Sequence, residues 1–476
     1  MGMHRTTRGA ALAALTLAAG AAFADKPQHG PITDPDIVAT VDAKILRIGA
    51  LTHAVENGGI LYVAGEDGVA AISAEGRPQW AARLPHADVR VIAADGGGIA
   101  FVAQQVAGGE PGAMRRFMQG TLADVPQFRD TVVGLLDKGR RGAVLWTAPL
   151  DTEYRVAPPG LAGATVAASD GVTLALFDRI AGGQLSRAKT FPGAFAGFWV
   201  FRGATRSTPA FANDSYYVAF TSELSRVDAA TGKENWRKSH HGLMSPFNNI
   251  TAGPLVWGDW IVFGNSADSR GEALNNTTRI FVGDKDGEQV WNDRHDQDSG
   301  IGSIALRGDR MYAASNFRLT AYQRDGKKVR ELWDHQSPRE NGAVMFSQLR
   351  GIRYYLRSKG AQVAEAALLA IFGGSDSNDI ATRIAYGNCM VADDRHVYLS
   401  SVERGRYALN KAKLALGVFD KDAWVGGREV ISVFDADSGA LTATLDAGGL
   451  VFDLLLVGPN LAAWDMETIR IFRRPG

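Results

Sequence analysis

The side chains best suited to chemistry in this 476-residue chain are thinly spread. The densest cluster is Asp293-Arg-His-Asp-Gln-Asp298, where Asp296 and Asp298 offer carboxylate oxygens of the kind calcium takes. A helix–loop–helix calcium loop starting at Asp296 needs a glutamate about twelve positions on, and Arg307 stands there. The cluster therefore reads as a solvated loop, and Ser375-Asp-Ser-Asn-Asp379 reads the same way. His240 and His241 precede Gly242, and His53 lies far upstream. Metal binding needs two or three imidazoles converging in space, which separate loops do not establish, so no metal site is expected. The single Cys389 excludes an internal disulfide, a C-x-x-C redox pair, a haem attachment site and a cysteine-based zinc cage. Its setting, Asn388-Cys-Met-Val391 ahead of a strand, suits a small buried hydrophobe. No G-x-S-x-G elbow, H-E-x-x-H helix, Walker loop or dinucleotide fingerprint occurs, so hydrolase and nucleotide-dependent chemistry have no residue support.

The elements that would position such residues repeat. One unit is an apolar strand, a short Gly/Asp/Ser turn, a second strand, a glycine turn and a tryptophan. Ile60-Leu-Tyr-Val-Ala-Gly-Glu-Asp-Gly68 leads to Gly76 and Trp80; Tyr216-Tyr-Val-Ala-Phe220 leads to Arg226-Val-Asp-Ala-Ala-Thr-Gly-Lys-Glu-Asn-Trp236. Trp260-Ile-Val-Phe-Gly264 leads to Gly287 and Trp291. The three Gly-to-Trp spacings are identical, so chance is a poor explanation. Worn copies have Gly326 too far from Trp333, and Ala443 where a Trp would follow Gly439; weaker ones cover residues 99–146, 164–191 and 454–472.

In the turn 226–236, Asp228 can accept hydrogen bonds from turn amides, Gly232 tolerates a positive φ, and Trp236 offers a large flat surface to bury. This stretch resembles the tryptophan-docking motif of quinoprotein-type β-propeller repeats, Ala-x-Asp-x-x-Thr-Gly-Lys-x-x-Trp. Asp228, Thr231, Gly232, Lys233 and Trp236 match, and Arg226 stands where that family prefers Ala. The resemblance implies an all-β propeller in which each Trp sits between adjacent blades. Counting weak copies gives about eight four-stranded blades, with seven as the alternative. Stacking sheets radially buries both their faces, and closing the ring removes free edges. Closure requires residues 469–472 to pair with a segment near residues 37–48. Dehydrogenases of that family carry pyrroloquinoline quinone and calcium beneath an adjacent cysteine pair. One cysteine cannot supply that pair, so no cofactor is expected, and the quinone-dependent dehydrogenase or a degenerate relative is the alternative reading.

Composition fits a soluble β-protein. Hydrophobic residues make up 46% of the chain and charged residues 21%, enough for a large core. The 55 glycines suit many tight turns. Lys+Arg and Asp+Glu both number 51, so no global field favours nucleic acid or an anionic membrane. Arg5 and Arg8, the small apolar run 10–22 and Ala22-Phe23-Ala24 form a secretory signal, residues 1–24, with cleavage after Ala24. No cysteine follows the cleavage site, so a lipid anchor is not expected, and no transmembrane segment is present. The mature chain, residues 25–476, is then a single propeller domain, periplasmic or secreted.

Insertions near residues 104–141, 336–385 and 402–429 interrupt the repeats. Residues 113–141 space Phe117, Leu122, Val125, Phe128, Val132, Leu135 and Leu136 approximately as a helix does, and residues 361–372 are also helix-like. Residues 191–201 add Phe191, Phe195, Phe198, Trp199 and Phe201. Helical insertions on the rim would fold back on the propeller or offer a docking surface. The expected function is a non-catalytic exported scaffold for protein binding or assembly.

Overall fold

A computed structural model describes residues 32–84, 89–106, 128–152, 156–171, 173–189, 208–220, 223–239, 248–267, 279–294, 301–315, 318–336, 344–346, 390–403, 429–449 and 451–475. The signal segment, Cys389, His240, His241, Asp296, Asp298, Ser375–Asp379 and the aromatic run 191–201 lie outside them, as do residues 107–127, 337–343, 347–385 and 404–428 of the expected insertions.

Eight sheets form a ring. Blades 1 to 6 take residues 51–83, 89–149, 160–189, 210–239, 248–294 and 303–336, each an antiparallel succession of four strands. Blade 7 takes residues 390–446, and blade 8 takes residues 453–473 together with the N-terminal strand Ile37–Asp42. The first strands of successive blades lie side by side around the ring, and that of blade 8 lies beside that of blade 1. Closure is as expected: Ile37–Asp42 pairs antiparallel with Thr468–Arg473.

The core follows the ring. Eight apolar clusters of buried side chains each join two neighbouring blades, one cluster per seam. A blade is thus apolar on both faces, and its middle strands lose the alternation that marks a half-buried strand. This corrects the helical reading over residues 128–137, because Phe128–Asp137 is a strand between Ile99–Val106 and Ala143–Pro149. Val133, Leu135 and Leu136 are all buried, on opposite faces of that strand. A run buried on both sides mimics helical spacing in sequence. Among the described residues the only helix is Ala43–Leu46, capped by Asp42, whose carboxylate accepts from the Lys44 amide at 2.8 Å.

Blade 7 departs from four strands. Ile32–Thr33 adds in parallel to its outer strand Leu441–Asp446, and Val344–Phe346 pairs with the far end of His396–Glu403. Neither addition shows in the repeat pattern, because a two- or three-residue strand carries no periodicity.

Candidate functional site

Outer-rim seams join a turn of one blade to the outer strand of the preceding blade, and four of them do so through a tryptophan over a glycine. In blade 4, Asp228 accepts from the Thr231 amide at 2.8 Å and its hydroxyl at 2.6 Å. The Thr231 hydroxyl and amide hold the Asp228 carboxyl below the usual carboxylate range. Asp435 does the same with Ser438 in blade 7. The turn brings Gly232 to φ +68°, where a Cβ would collide with Ser186 of blade 3. Trp236 points the other way: its indole N–H donates to the Lys285 carbonyl of blade 5 at 3.1 Å. A Cβ on Gly287 would lie 2.7 Å from the Trp236 ring.

The relation recurs. Trp80 covers Gly142, Trp146 covers Gly182, and Trp333 covers Gly439, always one blade ahead. Trp146 donates to the Arg179 carbonyl at 2.8 Å and Trp333 to that of Ala436 at 3.0 Å. The worn copies become intelligible here. Ser186 occupies the tryptophan position of blade 3, Trp291 meets Tyr322 edge-on at 5.0 Å, and Gly76 packs against Ala39 of the closing strand. Trp80, Trp236 and Trp291 are half-buried, whereas Trp146 is buried.

Polar groups add side-chain links across the seams. Arg179 binds Asp95 at 2.6 Å, Arg307 binds Asp394 at 2.7 Å, and Arg324 engages Asp259 while lying 3.9 Å from the Trp260 ring centroid. Between blades 7 and 8, burial pushes the Asp393 carboxyl up. The Arg395 and His396 amides, the Arg474 guanidinium at 2.7 Å and the Tyr398 hydroxyl outweigh it and hold the group below its usual range.

Between blades 6 and 7, His335 meets Phe434 at 4.9 Å. Burial holds its imidazole below the ordinary value, opposed in part by Asp334 and the Gly439 main chain. The folded protein thus favours neutral His335. Its stability is complete above the unfolded pKa and falls as pH drops through about 6.5 toward the folded value. Urea titrations from about pH 7.5 to about 5.5 should show wild type losing more stability than His335→Leu; equal losses would exclude this role.

Other candidates resolve into structure. Asp293 accepts from the buried Tyr322 hydroxyl at 2.5 Å, which helps raise the Tyr322 pKa after burial itself. His53 is buried, and its Nδ1 accepts from the Ile92 amide at 3.3 Å. It ties blade 1 to blade 2.

Quinone and calcium need a donor set. Among the described residues no group of three or more His, Cys, Asp or Glu comes together to hold a metal. The adjacent cysteine pair has no counterpart in a chain with one cysteine.

The ring has two unlike faces. In an antiparallel four-strand succession, the turns between strands one and two and between three and four share one face. Those turns are short throughout the described blades. Connections between strands two and three, and from blade to blade, share the other face. The strands joined by residues 107–127, 190–207, 240–247, 268–278 and 404–428 all end there. The Val344–Phe346 pairing also extends blade 7 on that side.

Buried polar side chains pin this face. The Gln104 carbonyl accepts from the Val156 amide at 2.8 Å while its amide donates to Thr131. Asp170 receives the Thr173 amide and the Thr152 hydroxyl at 2.6 Å each, and Glu429 holds the Val451 amide. Sequence reading missed these residues. Their one signal was a polar side chain closing an apolar strand, as in Ile99-Ala-Phe-Val-Ala-Gln104.

A family profile described as outer membrane protein assembly factor BamB matches residues 129–413. BamB from Moraxella catarrhalis superposes with a TM-score of 0.55 at 12% identity, covering 93% of this chain and 98% of that one. Sqt1 of Saccharomyces cerevisiae superposes with a TM-score of 0.53 at 10% identity, covering 93% of this chain and all of that one, 100%. A comparison with curated protein sequences found no match.

Proposed function

The chain belongs to the family described as outer membrane protein assembly factor BamB, and from that membership we infer a non-catalytic, protein-binding propeller that serves protein assembly. The observation that carries this reading is the inequality of the two faces. Long connections are concentrated on one side of a ring whose seams are locked by apolar clusters and tryptophan–glycine contacts. A rigid disc with one elaborated face presents loops to a partner at little ordering cost to its scaffold. Arg5, Arg8, the apolar run 10–22 and the Ala22-Phe23-Ala24 site support export, which puts the scaffold in the periplasm. Among the described residues no helix is long and apolar enough to cross a membrane.

Site-specific photocrosslinking in the cell envelope tests the reading. A crosslinker at Ile45, exposed beside the long-connection face, should capture assembly proteins of the outer membrane, and one at Ile180, on the short-turn face, should not. Deleting residues 348–372 should abolish that capture without changing the melting curve. Equal capture from both positions, or none, sinks the face assignment. Pyrroloquinoline quinone and calcium added to the purified chain should give no bound chromophore, and a chromophore with dye reduction would replace the scaffold by the dehydrogenase.

A further inference from the structure

The eight seams are not tied alike. Four carry a tryptophan over a glycine of the next blade. Between blades 5 and 6, Trp291 meets Tyr322, whose hydroxyl donates to Asp293. Between blades 7 and 8, Arg474 donates to Asp393 at 2.7 Å. The seam between blades 8 and 1 buries Trp464 in its cluster, and the Asn460 side-chain amide donates to the Ala74 carbonyl at 2.9 Å. Between blades 3 and 4, among the described residues, neither an ion pair nor a tryptophan crosses.

Ser186 stands where the other seams place an indole. It pairs with Leu176 across the two outer strands of blade 3, as Trp146 pairs with Leu135 in blade 2. Its hydroxyl is buried without a hydrogen-bond partner, directly against Gly232 of blade 4. A serine covers a fraction of the apolar area that an indole covers, and opening to water relieves the cost of its unpaired hydroxyl. The rest of the seam is light as well. Leu174 and Leu176 of blade 3 face Val218 and Val227 of blade 4 among alanines, and Tyr216 is the one aromatic ring in the cluster.

The inner end of this seam is short. Gly160–Ala162 and Ala210–Ala212, the first strands of blades 3 and 4, have three residues each. The other first strand of that length, Met390–Ala392, is prolonged by Val344–Phe346, which pairs with the same neighbour. Phe211 lies against Tyr216 at 5.3 Å yet stays 37% exposed. Among the described residues the polar ties across the seam run through Tyr216. Its hydroxyl lies 2.9 Å from the Thr165 hydroxyl and donates to the Thr165 carbonyl at 3.2 Å.

We propose that the ring opens first between blades 3 and 4: this seam parts locally, from its inner strands to the rim, while the other seven stay closed. Each blade keeps its sheet hydrogen bonds in that motion, because every ladder lies within a blade. The opening uncovers a cleft lined by Leu174, Leu176, Tyr216, Val218 and Val227. It exposes far less apolar surface than unfolding does, and so occurs at a lower free energy.

Thiol labelling of folded residues 25–476 in a Cys389→Ser background provides the test. Val218→Cys puts the sole thiol in this seam, and Val262→Cys puts it in the seam between blades 5 and 6; both valines are at most 1% exposed. With DTNB, Val218→Cys should react about tenfold faster or more, at a rate that rises only weakly with urea, because local opening exposes little surface. Ser186→Trp, which supplies the missing ring, should slow Val218→Cys by about fivefold or more and leave Val262→Cys unchanged. Tyr216→Phe, which removes the polar tie, should speed it by about fivefold. Circular dichroism melts check that each variant folds, and Val227→Cys replaces Val218→Cys if that variant does not. Equal rates at the two positions, a urea dependence as steep as that of global unfolding, or a rate indifferent to Ser186→Trp and Tyr216→Phe would each overturn the proposal. Since labelling requires no partner, the result is independent of whether a protein is ever captured by the long-connection face.

Discussion

Deleting residues 32–42 should lower the unfolding free energy by about 5 kcal/mol, from lost burial of Val38, Ala39 and Val41 and the lost hydrogen bonds of one strand. Ile37–Asp42 is the outermost strand of blade 8, although it stands more than 400 residues from its neighbour Thr468–Arg473 in sequence. Ala39 lies against Gly76 of blade 1, and Val41 reaches within 3.6 Å of the place a Cβ would take there. The strand thus completes one blade and packs against the next. A shorter deletion, residues 32–36, removes the parallel strand on blade 7 and the Asp36–Arg473 ion pair at 2.7 Å. That pair is well exposed and contributes little, so the shorter deletion should cost only about 1–2 kcal/mol. Urea unfolding of both truncations separates the two roles. Equal losses would mean that the ring is not closed at blade 8.

Trp146→Ala should cost about 3–5 kcal/mol, and Trp236→Ala only about 1.5–3 kcal/mol. The sequence motif singles out Trp236, but the structure moves the larger effect elsewhere. Trp146 is only 9% exposed, stacks on Phe177 at 6.2 Å and donates to Arg179. Trp236 makes the same kind of hydrogen bond from a half-buried position. The coupling between blades is measurable as well. Gly287 sits at φ +74° beneath the Trp236 ring, so Gly287→Ala strains the backbone and displaces the indole. In wild type that change should cost about 2–3 kcal/mol, and in the Trp236→Ala background about 1 kcal/mol, the backbone part alone. A double-mutant cycle by urea unfolding gives the difference. Strict additivity would mean that the two residues do not share a seam.

Blade number, strand type and the site of ring closure were legible because they are written in local patterns: apolar strands, Asx turns and a repeated Gly-to-Trp interval. The strand Phe128–Asp137 was legible as apolar but not as a strand. Burial on both faces removed the alternation that would have identified it. Ile32–Thr33 was invisible because two residues carry no period. Gln104, Asp170 and Glu429 look like ordinary polar residues until the chain segments they pin are brought beside them. His53 looked like a stray imidazole, and proved to be a buried acceptor for a neighbouring strand.

The sequence by itself determined that this is a repeat protein of turns and strands, with Asp228, Thr231 and Gly232 shaping a tight turn. Those contacts span three or four residues, so residue type and spacing suffice to specify them. Only the tertiary structure decided what the glycine and the tryptophan of one repeat do. Gly232 faces Ser186 of the preceding blade, and Trp236 reaches Gly287 of the following one. The two residues share a motif but serve opposite faces of their blade. The physical reason is that a blade apolar on both sides is stable only between two neighbours, so half of every seam comes from a different repeat. Which face collected the long connections likewise emerged only when the ring was assembled.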